Sequence, residues 1–258
     1  MQATSHRNRS YTARVLSSTF ARRGAKLGAW WIAIAALAAV AARLEPGTVA
    51  AQAFQRIAAT ASDPDAPQDT PAHRQAAVDL VCAAGLPAID EAPAAAFSWD
   101  GRAVRTRSEA SVLIHEVAHW LIAPPERRSM PDFGLGAGPE TGRIAEADAA
   151  RCVDDAVKEE EELLASLLGI LFEAALGQPA IHAFIEQNWL EDWDRPAAVD
   201  QFRSAADALH ARGLVDDSAL PMMLQDGSAA TAEISIRNSG QASAETSTMA
   251  DAGPSLGK

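Results

Sequence analysis

Cysteine is nearly absent from this chain: Cys82 and Cys152 are the two in 258 residues, far apart and without a CxxC pair. Their scarcity argues against a disulfide framework or a thiolate metal site and leaves both as small buried hydrophobes, with one bond between them as the oxidised alternative. Aromatics make up only 5% although hydrophobic residues reach 48%, because alanine supplies much of the apolar content. That balance favours a helical domain with a modest core. Negative charge is missing from the first 44 residues, where seven basic side chains stand. The formal charge of −12 thus resolves into +7 there and −19 over the remainder. An acidic body argues against nonspecific nucleic-acid binding. A long hydrophobic run is missing too. Leu27 to Ala42 is uncharged for sixteen residues, short for a membrane span and long for the apolar region of a signal peptide. It reads as a signal, as an anchor giving membrane contact through residues 27–42, or as an upstream extension. Ala51-Gln52-Ala53 offers a small-residue cleavage site, and Arg22-Arg23 is a poor twin-arginine match.

Composition divides the chain into a basic, hydrophobic segment over 1–57, a Pro/Asp/Ala-rich linker over 58–73, a compact domain over 74–224 and a Ser/Ala/Gly/Thr-rich tail over 225–258, read as disordered. Within the domain a first helix spans about 73–84 and stops at Gly85. Asp100-Gly101, flanked by Phe97–Trp99 and Arg102–Arg105, predicts a small hairpin. A helix follows, started by a Thr106/Glu109 capping box and stopped by Pro124-Pro125. After a glycine-containing loop over 126–142, a long helix runs from about 144 to 176. Two more span 179–189 and 196–212. The fold class expected is mainly α, with a small hairpin at most.

His115-Glu116-Val117-Ala118-His119 is the informative run. Histidines four apart lie on one face of a helix, within reach of one ion, and the glutamate beside the first can exchange a proton at the site. Two histidines do not hold a catalytic metal, so a third protein ligand is expected. A third histidine six residues on is excluded, because that position is Pro125. A carboxylate from the 144–176 helix remains. At 100° per residue, Val153, Val157, Leu164, Leu167, Leu168 and Leu171 form one stripe, with Glu160 near its centre and Glu161 at its margin. Glu159 and Glu162 point away. Glu160 is therefore the expected third ligand and Glu161 the reserve. A set of two histidines and one carboxylate suits Fe²⁺ or Zn²⁺.

The order His115-Glu-Val-Ala-His-Trp120, Ile122-Ala123, Arg127-Arg128, Asp132-Phe133-Gly134 and Pro139-Glu-Thr-Gly-Arg143 resembles the bacterial elongation factor P hydroxylase family. The resemblance covers about thirty residues. It implies an iron-dependent monooxygenase acting on a modified lysine of elongation factor P, a cytoplasmic protein, with His115 and His119 on the metal and Glu116 as the motif glutamate. The family's later glutamate helix aligns poorly, since alanine stands where its glutamate falls, so Glu160 rests on periodicity alone. Glu160-Glu-Glu-Leu-Leu164-Ala165 also resembles the glutamate helix of short zinc peptidases. In that alternative Glu116 is the general base of a zincin-like metallopeptidase. A third class keeps the motif for structure only.

Arg127, Arg128 and Asp132 are weak candidates for substrate binding; the arginines equally suit pairing with the acidic 159–162 run. Asp132-Phe133-Gly134 lacks the partners of a kinase magnesium motif. His182 and His210 read as surface or core histidines, and Trp120 as packing for the motif helix.

Overall fold

The computed structural model describes residues 37–61, 66–93, 98–137, 143–190 and 196–225. The expected signal or anchor, up to residue 36, and the expected tail, from 226 on, lie outside them. Seven helices are labelled here: α1 (Val49–Ala58), α2 (Pro71–Ala83), α3 (Ala110–Ile122), α4 (Ile144–Ala150), α5 (Asp155–Ala175), α6 (Ala180–Glu186) and α7 (Pro196–Ala211). Two short strands, β1 (Ala88–Ile89) and β2 (Val104–Arg105), pair in parallel. The mainly α class read from the sequence is what the structure shows.

The motif helix α3 is built on strict helical spacing. Ala110, Leu113, Ile114, Val117 and Ala118 are fully buried, and these positions recur every three or four residues along one face. Its C-terminal end follows the sequence, with Ala123 turning extended before Pro124. Its N-terminal end does not. Glu109 is the N-cap without a side-chain bond, and the Ala110 amide donates instead to Asp69 Oδ1, 3.2 Å away. A carboxylate from just before α2 thus replaces the expected capping box.

The expected 144–176 helix is two helices. Arg151 is extended, and the Cys152 amide donates to the Gly134 carbonyl at 3.0 Å, drawing the chain back toward Asp132-Phe133-Gly134. Asp154 then caps the restart, accepting from the Val157 amide at 2.9 Å. The expected hairpin shrinks to one antiparallel bridge, Trp99 to Val104. Asp100 Oδ1 accepts from the amides of Arg102 and Ala103 there, and Gly101 adopts φ +84°. Both cysteines are exposed and free, correcting the expectation that they are buried.

Helix α5 is the centre of the fold, with Leu164, Ala165 and Leu167–Phe172 buried. Its most extensive partner is α3, which α2 backs; α1, α6 and α7 also pack on it. Phe54, Phe184, Trp189 and Phe202 interlock there, with Phe184 and Trp189 stacked at 6.1 Å. The core therefore reaches back to α1, ahead of the boundary at 74. Ala51 and Ala53 of the expected cleavage site are buried inside that helix. Among the described residues no helix is long and apolar enough to cross a membrane. Residues from Met222 form a second unit, of which 222–225 are described and helical.

The cap assignment yields a direct test by urea unfolding. Asp69→Ala should lower the unfolding free energy by about 1 kcal/mol, whereas the exposed Glu109→Ala should stay within about 0.5 kcal/mol. The reverse order would restore the capping box.

Candidate metal centre

One turn of α3 and one turn of α5 make the site. His115 and His119 project from α3 with their Nε2 atoms 3.0 Å apart, as the i, i+4 spacing requires. Glu162 of α5 faces them, with Oε2 3.8 Å from His115 Nε2 and 3.5 Å from His119 Nε2. Among the described residues, these three form the group that could hold a metal ion. Donors about 2.1 Å from one centre stand roughly 3.0–3.5 Å from each other, close to these separations. Two imidazoles and one carboxylate fit Fe²⁺ and Zn²⁺ equally by donor type.

Glu160, expected as the third ligand, is instead exposed and paired with Arg212 at 2.6 Å. Glu161, the reserve, is buried against the Arg127 guanidinium. The periodicity erred for a physical reason. Val153 precedes α5 and Val157 is 39% exposed, so two of the six residues that set the stripe are not core. The leucine-rich stripe is also not the surface that meets α3. Gly169 marks that surface: a Cβ placed there would lie 3.7 Å from His115 Cα. Positions 169 and 173 each fall within about 20° of position 162 around a helix. The signal in the sequence was a glutamate in line with a glycine, and an apolar count passes over both.

Behind the histidine pair, His119 stacks on Phe133 at 5.5 Å and 22°, and Phe133 stacks on Trp99 at 5.5 Å and 9°. Trp99 meets Trp120 edge to face and donates Nε1–H to the Arg128 carbonyl at 3.1 Å. Phe133 reaches this place through left-handed backbone. Asp132, Phe133 and Gly134 have φ of 44°, 53° and 72°, which costs a non-glycine residue on the order of 1 kcal/mol or more. Gly134 is required as well as permitted, since a Cβ there would stand 2.7 Å from Cys152 Sγ.

The arginines considered for substrate binding have internal work. Arg127 is buried, donating to Glu161 and, at 3.0 Å, to the Phe133 carbonyl. Arg128 donates to the Ala123 carbonyl at 3.1 Å and lies 4.9 Å over the Trp120 ring. Asp132 is only partly buried and acts on Glu116 electrostatically.

Burial pushes the Glu116 carboxyl up to about 8, with nearby Asp132 adding to the rise while His115 and a hydrogen bond with Ser98 oppose it. Burial also lowers His119. In His115 the same desolvation is outweighed by the Glu162 carboxylate, and its pKa is raised. Burial works against ionisation of Glu162, but the two imidazoles overcome it and hold the group well below the usual range. An anionic Glu162 facing paired imidazoles is the protonation state that attracts a cation. Ser98 and Glu173 are neighbours the sequence reading missed.

Residues 86–165 match the model of the elongation factor P hydroxylase family. That stretch runs from before β1 into α5 and contains all three converging residues. A protein of Haemophilus influenzae named elongation factor P lysine hydroxylase is 43% identical over 61 residues, covering 24% of this chain and 30% of that protein. The chain thus matches less than a third of this relative's length. No solved structure gives a significant match. The resemblance read from the motifs therefore holds over the residues that build the site.

Glu173 gives the site a pH signature. Burial, then Glu186, push its carboxyl up to about 8, while His115 opposes this. The folded state therefore favours the protonated form. That contribution to stability is complete below the ordinary carboxylate value and is lost as pH rises through about 8. Glu173→Gln, fixed in the neutral form, should melt close to the parent near about pH 5 and gain on it steadily toward about pH 9. A constant difference between the two across this range would contradict the assignment.

Proposed function

We propose that this chain is a metal-dependent hydroxylase that oxygenates a lysine-type side chain of a protein substrate. His115, His119 and Glu162 are its metal ligands. The observation that carries this reading is the convergence of those three side chains within the stretch that matches the hydroxylase family. Fe²⁺ is the ion proposed, and when bound it supplies the oxygen-activating redox chemistry of a site with two histidines and one carboxylate. Elongation factor P is the substrate proposed, from the name of the Haemophilus influenzae relative. Cytoplasmic location follows from that substrate.

The protein's own groups divide the remaining work. The Glu162 carboxylate offsets the charge of the ion, and the two Nε2 atoms fix its place. Glu116, with its carboxyl raised to about 8, holds or releases a proton beside the reacting atoms at neutral pH. Asp132, whose charge is felt at Glu116, supplies negative charge near the site for an approaching ammonium group. Arg127 and Arg128, the cations nearest in sequence, have guanidinium groups already engaged with Glu161, Trp120 and backbone carbonyls. The stacked Trp99 and Phe133, each about 1% exposed, exclude water from the His119 side.

A zincin-like metallopeptidase using Glu116 as general base is the second reading, favoured by the position of Glu116 beside the histidine pair. The two separate by metal and product. The protein purified without oxygen should take up one equivalent of iron, and when O2 and a two-electron reductant are then supplied with elongation factor P bearing its modified lysine, it should give a product heavier by one oxygen atom, the second oxygen leaving as water. Glu162→Gln should lose both metal and activity, and Glu160→Gln should keep both. Tightly held zinc with cleavage of peptide bonds would replace the hydroxylase by the peptidase. Full metal retention in Glu162→Gln would overturn the ligand set.

A further inference from the structure

We propose that Arg127 is a positioning residue that sets the two ligand-bearing elements of the metal site against each other. This rests on the metal-centre reading above.

Arg127 stands in the short helical turn Pro125–Arg127 that follows the motif helix. Its backbone is fixed on both sides: the amide donates to the Pro124 carbonyl, and the carbonyl accepts from the Met130 amide, each at 3.0 Å. The side chain is only 7% exposed, and its two terminal nitrogens go to different elements. One donates to Glu161 Oε1 on α5, immediately before Glu162. The other donates to the carbonyl of Phe133, whose ring lies against His119. A single guanidinium therefore joins the residue next to the carboxylate ligand to the residue that backs a histidine ligand.

Each end of this link needs support. The Asp132-Phe133-Gly134 turn lies in left-handed backbone, a conformation that persists only when its surroundings hold it. Glu161 is buried with Oε2 lacking a hydrogen-bond partner, and among the described residues its ion-pair partner is Arg127. Surface pairing explains neither feature. Glu160, one residue earlier, has an ordinary exposed arginine partner.

The planar fork is what allows two acceptors on separate elements to be held at a fixed spacing. Lysine keeps the charge but concentrates its donors on one atom. Arg127→Lys therefore preserves neutralisation of Glu161 while losing the fixed spacing between α5 and the Phe133 turn.

Co²⁺ is the probe, titrated into the full chain and followed by its visible ligand-field spectrum, with the melting temperature of the metal-free protein recorded in parallel. Arg127→Lys should weaken Co²⁺ binding roughly 10- to 100-fold and alter the shape of the spectrum. Glu160→Gln, on the same helix, should leave both unchanged. Trp189→Phe, which removes the core bond from Trp189 Nε1 to Ser166, should lower the melting temperature without changing the spectrum. If Arg127→Lys does not fold, Glu161→Gln keeps an acceptor for the guanidinium, and should keep the parental spectrum while Glu161→Ala changes it. Parental affinity and spectrum in folded Arg127→Lys, or in Glu161→Ala, would overturn the positioning role and leave the metal centre intact. Failure of the unaltered chain to bind Co²⁺ would overturn the metal centre and the positioning role together.

Discussion

The close approach of α5 to the motif helix at Gly169 is the constraint from which the rest of the site follows. With no side chain at that position, the α5 backbone lies near enough to His115 for Glu162, two turns earlier on the same face, to meet both imidazoles. An alanine methyl would make ordinary contact there. Anything larger would have to displace the helix that carries the histidines. The site is thus a consequence of helix packing, with its candidate ligands on two helices rather than on loops. The chain between these helices supplies the wall: it returns through Asp132-Phe133-Gly134 to place an aromatic ring against His119, and returns again at Cys152 before α5 begins.

Charge is sorted with the same economy of parts. Glu162 faces the two histidines, with Glu116 beside them in the motif helix and Asp132 near enough to act on it, while the nearby arginines bind Glu161, backbone carbonyls and the Trp120 ring. Burial holds Glu116 and Glu173 toward their protonated forms and leaves Glu162 anionic because two imidazoles face it. Carboxyl groups of one chemistry are thus divided between two protonation states by their surroundings. A carboxylate held anionic against two imidazoles is an arrangement that admits a cation, which the hydroxylase reading calls for.

The parts legible in the sequence were those fixed by local chemistry. The apolar spacing of Ala110, Leu113, Ile114, Val117 and Ala118 announces the motif helix, Pro124-Pro125 its end, and Gly85 and Gly213 the ends of α2 and α7. What was missed depends on contacts between segments distant in sequence. Asp69 caps α3 from 41 residues away, so the local Thr106/Glu109 pattern misled. Glu160 was preferred to Glu162 because large side chains dominate an apolar stripe, whereas the face that meets α3 is defined by a glycine. The break at Arg151 is set by the Cys152 amide reaching Gly134, which no helical period records. The motif resemblance and the family match fall on the same stretch of chain, in which the three converging side chains lie.

The central claim is that one ion sits among His115, His119 and Glu162. Anomalous diffraction from a crystal of the full chain loaded with Fe²⁺ or Co²⁺ tests it most directly. The account predicts one strong peak within about 2.0–2.2 Å of both Nε2 atoms and of a Glu162 carboxylate oxygen. A peak bound by Glu160 or Glu161 in place of Glu162, or no peak between α3 and α5, would contradict it.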